Sequence, residues 1–149
     1  MSTSFVSAKL RRLVASRADG LCEYCLIGIE DTHFGCCVEH VIAEKHGGPT
    51  ASDNLAYACV FCNRYKGSDL GSIDPETGQL IRFFHPRTDR WSDHFQLTHD
   101  LLIQPLTDVG RVTAAILRFN SEERLIERQE LHAWGLFPGK AALQRISRP

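Results

Sequence analysis

Apolar positions along the chain follow two different rhythms, one helical and one strand-like. In "SAKLRRLVASRADG", Leu10, Leu13 and Val14 form a stripe at helical spacing, with Ser7 placed as an N-cap and Gly20 as a stop. This pattern predicts a helix. "LCEYC" follows as a tight knuckle, and "FGCCVEHVI" is short, apolar and rich in strand formers, so it reads as a strand. "AEKHGGPTASDN" is a loop of breakers, where Gly47 and Gly48 let the backbone turn without clashes. "DNLAYACVFCNRYKG" reads as helical turns.

Beyond residue 70 the pattern changes. "DPETG" is a turn signal, and "QLIRFF", "HFQL" and "LLIQPL" are strand-like runs. From Thr107 the spacing becomes helical, with Val112, Ala115, Ile116 and Phe119 on one face. "NSEERLIERQELHAWG" predicts a second helix, capped by Ser121 and stopped by Gly135. No internal repeat is present. The expected fold class is α+β: a core with an N-terminal helix over residues 1–70, and a strand-plus-helix extension over 71–149 packed on it. The join lies near Gly67 to Asp74.

Composition bounds the function. A chain of 149 residues with 43% apolar content can bury one core. No run of about 18 apolar residues exists, so no helix is expected to span a membrane. In the first residues the charges follow the apolar positions, the reverse of a secretory signal, and the chain reads as cytoplasmic. A net charge of -1 argues against a general grip on nucleic acid. Basic residues do cluster locally: Lys9, Arg11, Arg12 and Arg17; Arg64 and Lys66; Arg82, Arg87 and Arg90. Such clusters read equally as solvated mixed surface.

Six cysteines add chemistry. Four fall as Cys22-x-x-Cys25 and Cys59-x-x-Cys62, each pair a small chelate, and four thiolates close a tetrahedral zinc shell with no open position. The expected zinc is structural. The 33 residues between the pairs exceed a simple ribbon, so folded structure must lie between them. A bare cluster of buried thiols is the plainer alternative. Cys36 and Cys37 fit packing better than ligation.

The enclosed segment holds Glu39 next to His40. A strand sends neighbouring side chains to opposite faces, so the two answer to different partners. A histidine on a pinned strand can take a proton from water near neutral pH. The Glu39 carboxylate can hold a divalent cation through oxygen, and Asn63, directly after Cys62, can supply a second oxygen. Asn54 can fix the loop that carries the histidine. His46 reads as part of the open loop, and His33, His85, His94, His99 and His132 have no spacing that makes a second site. "FFHPRTDRWSDHF" is aromatic and basic; a strand and turn packed on a core is favoured over base stacking.

In order and spacing, "C22-E-Y-C25 … E39-H40-V-I … G47-G48 … D53-N54-L55 … C59-V-F-C62-N63-R-Y-K66-G67" resembles the zinc-bearing branch of the HNH endonucleases, over residues 20–67. The resemblance implies a zinc-stabilised ββα-metal core, treble-clef-like, and a single-metal endonuclease that hydrolyses phosphodiester bonds in DNA. It implies His40 as general base, Asn54 as the residue orienting the histidine or its loop, and Glu39 and Asn63 as ligands of a catalytic Mg2+ or Mn2+. Cys22, Cys25, Cys59 and Cys62 would hold structural Zn2+, and Lys66 and Arg64 would contact nucleic acid. No small-molecule cofactor is expected. Two positions depart from the family pattern. Asn63 stands where many members have histidine, an H-N-N variant, and Glu39 where many have aspartate. An asparagine ligand suits magnesium better than softer metals. The rival reading is a zinc-stabilised nucleic-acid or protein binding module without catalysis. Redox chemistry at the Cys-x-x-Cys pairs is the weaker third, since it needs an exposed, low-pKa thiol.

Overall fold

The computed structural model describes residues 4–32 and 34–147; His33 lies outside them. Helix α1 spans Ala8–Arg17, and the Ser7 hydroxyl caps it by accepting from the Leu10 amide at 3.2 Å. Val14 and Leu10 pack against Leu55, whereas Leu13 is 45% exposed, so the inner stripe is narrower than the spacing predicts. After the knuckle, β1 (Cys36–His40) pairs antiparallel with β2 (Leu55–Cys59), Glu39 opposite Ala56 and His40 opposite Leu55. Helix α2 (Val60–Lys66) follows without a linker. The chain is thus hairpin then helix, the ββα order.

Residues 55–59 correct the sequence reading, which has them helical. Leu55, Ala56, Ala58 and Cys59 are buried, so both faces of β2 are covered and no polar–apolar alternation marks it as a strand. Pairing with β1 decides its conformation.

The remainder is a hairpin of β3 (Gly71–Ile73) and β4 (Leu80–Arg82), a one-turn helix α3 (Trp91–His94), a second hairpin of β5 (Phe95–Leu97) and β6 (Ile103–Pro105), then helices α4 (Asp108–Ile116), α5 (Glu122–Ala133) and α6 (Lys140–Ile146). Helices α3 and α6 add to the two helices expected in this part, and details of α4 and α5 also differ from expectation. Helix α4 stops before Phe119 and turns Ala115 outward; its inner face is Val109, Val112 and Thr113, with Ile116 half-buried. Ser121 sits at the start of α5, but its buried hydroxyl makes no capping bond.

Mixed helices and small antiparallel sheets make this an α+β fold. One apolar core runs through both parts: Leu21, Tyr24 and Leu26 from the knuckle meet Phe83, Phe84, Trp91, Phe95, Leu117 and Phe119 from beyond residue 70. Phe84–Phe95 and Phe95–Phe119 are edge-to-face at 5.5 Å, and the Trp91 indole donates to the Tyr24 carbonyl at 2.8 Å. The aromatic run 83–95 is therefore core. Among the described residues, no helix is long and apolar enough to cross a membrane.

Candidate functional site

Two short turns bring four sulfurs together. In the knuckle, the Cys22 amide donates to Ile27 O at 2.8 Å, and the Cys25 amide approaches Cys22 Sγ at 3.5 Å. At the β2–α2 junction Cys59 is the N-cap of the helix, its sulfur accepting from the Cys62 amide at 3.5 Å. The Sγ atoms of Cys22, Cys25, Cys59 and Cys62 all lie within 4.8 Å of one another and are buried. A tetrahedral zinc with bonds of about 2.3 Å sets its sulfurs about 3.8 Å apart, the separation seen between Cys25 and Cys59, 3.8 Å. The donor set and its spacing suit structural zinc. Burial pushes the Cys22 and Cys62 thiols up, while hydrogen bonds from the other three cysteines draw Cys25 down. Cys36 and Cys37 stand outside the four-sulfur group.

Next to this pinned frame lies a cleft of about 490 Å³, bordered by Cys37, Glu39, His40, Glu44, Asn63 and Arg64 among others. The end of β1 carries Glu39 and His40 to it, and α2 brings Asn63 and Arg64 from the facing wall.

His40 is buried, and its Nε2 is 2.8 Å from Thr50 Oγ1. The Thr50 hydroxyl donates to Glu44 Oε1 at 3.4 Å, and that oxygen lies 3.8 Å from Nε2. With the Thr50 proton on Glu44, the hydroxyl accepts from the ring, the tautomer with hydrogen on Nε2 and the lone pair on Nδ1; with that proton donated to Nε2, the ring is the reverse. Thr50 and Glu44 escape sequence reasoning: neither belongs to a motif, though Glu44 stands only four residues after His40.

Glu39 occupies a tighter setting. Its Oε1 accepts from the Tyr24 hydroxyl, and its Oε2 is 3.3 Å from Lys66 Nζ. Burial pushes the Glu39 carboxyl up, and Lys66 and Tyr24 hold it down. Burial also raises the Tyr24 phenol well above its usual range, with Glu39 adding to it, so Tyr24 remains a donor. Lys66, expected to contact nucleic acid, is turned inward: its ammonium is buried and donates to His40 O at 3.2 Å and Val41 O at 2.8 Å besides pairing with Glu39. Arg64 alone of that pair is exposed on the cleft.

Asn54 sits behind the cleft. Its Oδ1 accepts from the Ile42 amide, and its Nδ2 donates to Ile42 O and Pro49 O, all at 2.9 Å. The side chain clamps the loop between His40 and Thr50. Gly48 permits this: a Cβ there would lie 1.7 Å from Ile42 O and 2.8 Å from Asn54 Nδ2. His46 is exposed on a short turn of this loop.

Residues 22–69 match the family model of the HNH endonuclease, and the two Cys-x-x-Cys pairs within them are consistent with its zinc-bearing branch. No curated protein matches the chain.

Proposed function

We propose that this protein is a metal-dependent endonuclease that hydrolyses phosphodiester bonds in DNA, using His40 as its base. The observation that carries the reading is one cleft in which Glu39, His40 and Asn63 meet, within the segment that matches the HNH endonuclease.

The oxygen donors there, a carboxylate and an amide carbonyl, suit a hard cation. Each Glu39 oxygen keeps a lone pair beyond its present bond. Glu39 and Asn63 would hold Mg2+ or Mn2+, which supplies charge stabilisation for the phosphoryl group and the leaving oxygen. The chain's own residues do the rest. His40 Nδ1 takes a proton from water as the water oxygen bonds to phosphorus and the ester P–O bond breaks. Thr50, with its proton on Glu44, keeps the ring in the tautomer that leaves Nδ1 free, and Glu44 stabilises the imidazolium that forms. Arg64 on the rim offers charge-assisted bonds to the phosphate of the scissile strand. Asn54 holds the loop and thereby the ring. Cys22, Cys25, Cys59 and Cys62 would hold zinc that keeps hairpin and helix in register, away from the chemistry.

A second reading draws on the same cleft. Both Glu39 oxygens are already engaged, by Tyr24 and Lys66, as they would be in a zinc-stabilised binding module without turnover. A plasmid nicking assay separates the two. Wild type with Mg2+ or Mn2+ is expected to nick and to stop with a chelator, while His40→Ala, folded and zinc-loaded, loses at least about 100-fold in rate. Absence of cutting by wild type on plasmid, single-stranded and branched DNA would transfer the assignment to the binding module.

A further inference from the structure

A buried cation from the far end of the chain faces the four-cysteine cluster. Arg124 belongs to α5, 99 residues after Cys25, and its side chain is 1% exposed. Its Nη2 lies 3.1 Å from Cys25 Sγ and 3.7 Å from Cys59 Sγ. Its Nε pairs with Glu127 at 3.1 Å, its guanidinium stacks over Phe61 at 4.8 Å, and its buried Nη1 has no hydrogen-bond partner among the described residues. The neighbouring Arg128 differs: it spends its donors on Leu101 O, Phe119 O and Asn120 Oδ1, an ordinary internal strut.

Two thiols would be poor company for such a group. Neutral sulfur is a weak acceptor, and a desolvated guanidinium needs strong ones. Thiolates change the balance. A divalent ion with four thiolates carries two net negative charges, and an adjacent arginine halves that excess while donating charge-assisted bonds to sulfur.

We infer that Arg124 is a working part of the metal centre: it holds zinc in the four-cysteine site by hydrogen bonding and charge compensation at Cys25 and Cys59. The inference rests on the structural-zinc reading. It makes the metal site a joint product of two regions, since the segment that matches the HNH endonuclease ends at residue 69 and does not contain this arginine. Outer partners of metal ligands commonly set affinity by one to two orders of magnitude. Zinc and Arg124 then support each other reciprocally.

The test uses the full chain as wild type, Arg124→Gln, Arg124→Lys and Glu127→Gln. Each is checked for fold by circular dichroism and for one zinc per chain, then titrated with a chromogenic chelator. Arg124→Gln is expected to bind zinc about 10- to 100-fold more weakly. Arg124→Lys should fall between, since it keeps the charge and loses the fork. Glu127→Gln should not weaken zinc, because it removes only the competing anion. In the cobalt-substituted proteins, the thiolate-to-metal charge-transfer band should move to lower energy in Arg124→Gln as sulfur loses its donor. Folded Arg124→Gln with wild-type zinc affinity and an unmoved band would overturn the inference. So would Glu127→Gln weakening zinc as much as Arg124→Gln, which marks the pair as a strut. If Arg124→Gln does not fold, the lysine and Glu127→Gln arms decide by the same criteria. A wild type that holds no zinc would instead defeat the structural-zinc reading itself.

Discussion

At Asn54 one buried amide side chain meets two carbonyls and one N–H of the partly exposed loop after His40 and ties that loop together. Asn54→Ala removes these three bonds and is expected to destabilise the protein by about 1–3 kcal/mol, on a net worth of about 0.5–1.5 kcal/mol per hydrogen bond where water can reach the freed groups. Asn54→Asp should be worse than Ala, because a carboxylate cannot donate and would face Ile42 O and Pro49 O with negative charge. Urea denaturation of the three proteins checks the order, and an Asp variant as stable as wild type would refute the clamp. Gly48→Ala attacks the same loop from the other side by pushing a Cβ into Ile42 O. Both changes should also slow any cleavage through His40. Lys66 shows what residue type leaves out: a lysine in the last turn of a helix beside a cleft reads as a phosphate contact, and its burial against Glu39 is visible only in the fold.

Among the elements, the β3–β4 hairpin is tied to α4 through Arg111, which pairs with buried Asp74 and, at 2.6 Å, with the exposed Glu76. Asp74 accepts from the Glu76 amide and the Thr77 hydroxyl in its own turn, and from Arg111 of α4 at 3.1 and 2.8 Å. The Arg111 guanidinium, with help from the turn, holds Asp74 down at about 2, below its ordinary 3.8. A depressed carboxylate contributes stability above its unfolded pKa and loses it as pH falls through the folded one. Asp74 should therefore stabilise fully above about pH 5, with the benefit fading between 3.8 and about 2. Melting temperatures of wild type and Asp74→Asn against pH should show a gap that closes over that window; a gap independent of pH would refute the linkage. The hairpin turn was legible in "DPETG" because turn residues act locally. Strand β2 was not, because "LAYAC" is covered on both faces and carries no period.

Across the whole molecule, the part beyond residue 70 closes the core of the first part. Buried Glu23 pairs with Arg87 and lies 3.8 Å from Arg145; the Tyr24 carbonyl accepts from Trp91; Cys25 meets Arg124. A chain cut after residue 70 would leave that carboxylate unpaired and the knuckle's apolar residues in water. Residues 1–70 alone are expected to lack cooperative unfolding and to surrender zinc to a chelator that the full chain resists. Circular dichroism and zinc retention test this, and a cooperatively folding, zinc-retaining fragment would show two independent units.

The sequence by itself determined what depends on near neighbours. The Cys-x-x-Cys chelates, the Ser7 cap, the breaker loop and the order of Glu39, His40, Asn54 and Asn63 were legible as patterns, and through their resemblance to the HNH endonucleases they pointed to the family model that matches residues 22–69, although the second strand of the hairpin read as helix. Tertiary structure alone decided what depends on who is buried against whom. It turned Lys66 inward to Glu39, set Thr50 and Glu44 on His40, and carried Arg124 across 99 residues to Cys25. The reason is physical. Caps and chelates are made from groups a few bonds apart, whereas the partner of a desolvated charge is whichever opposite group the completed core brings within reach.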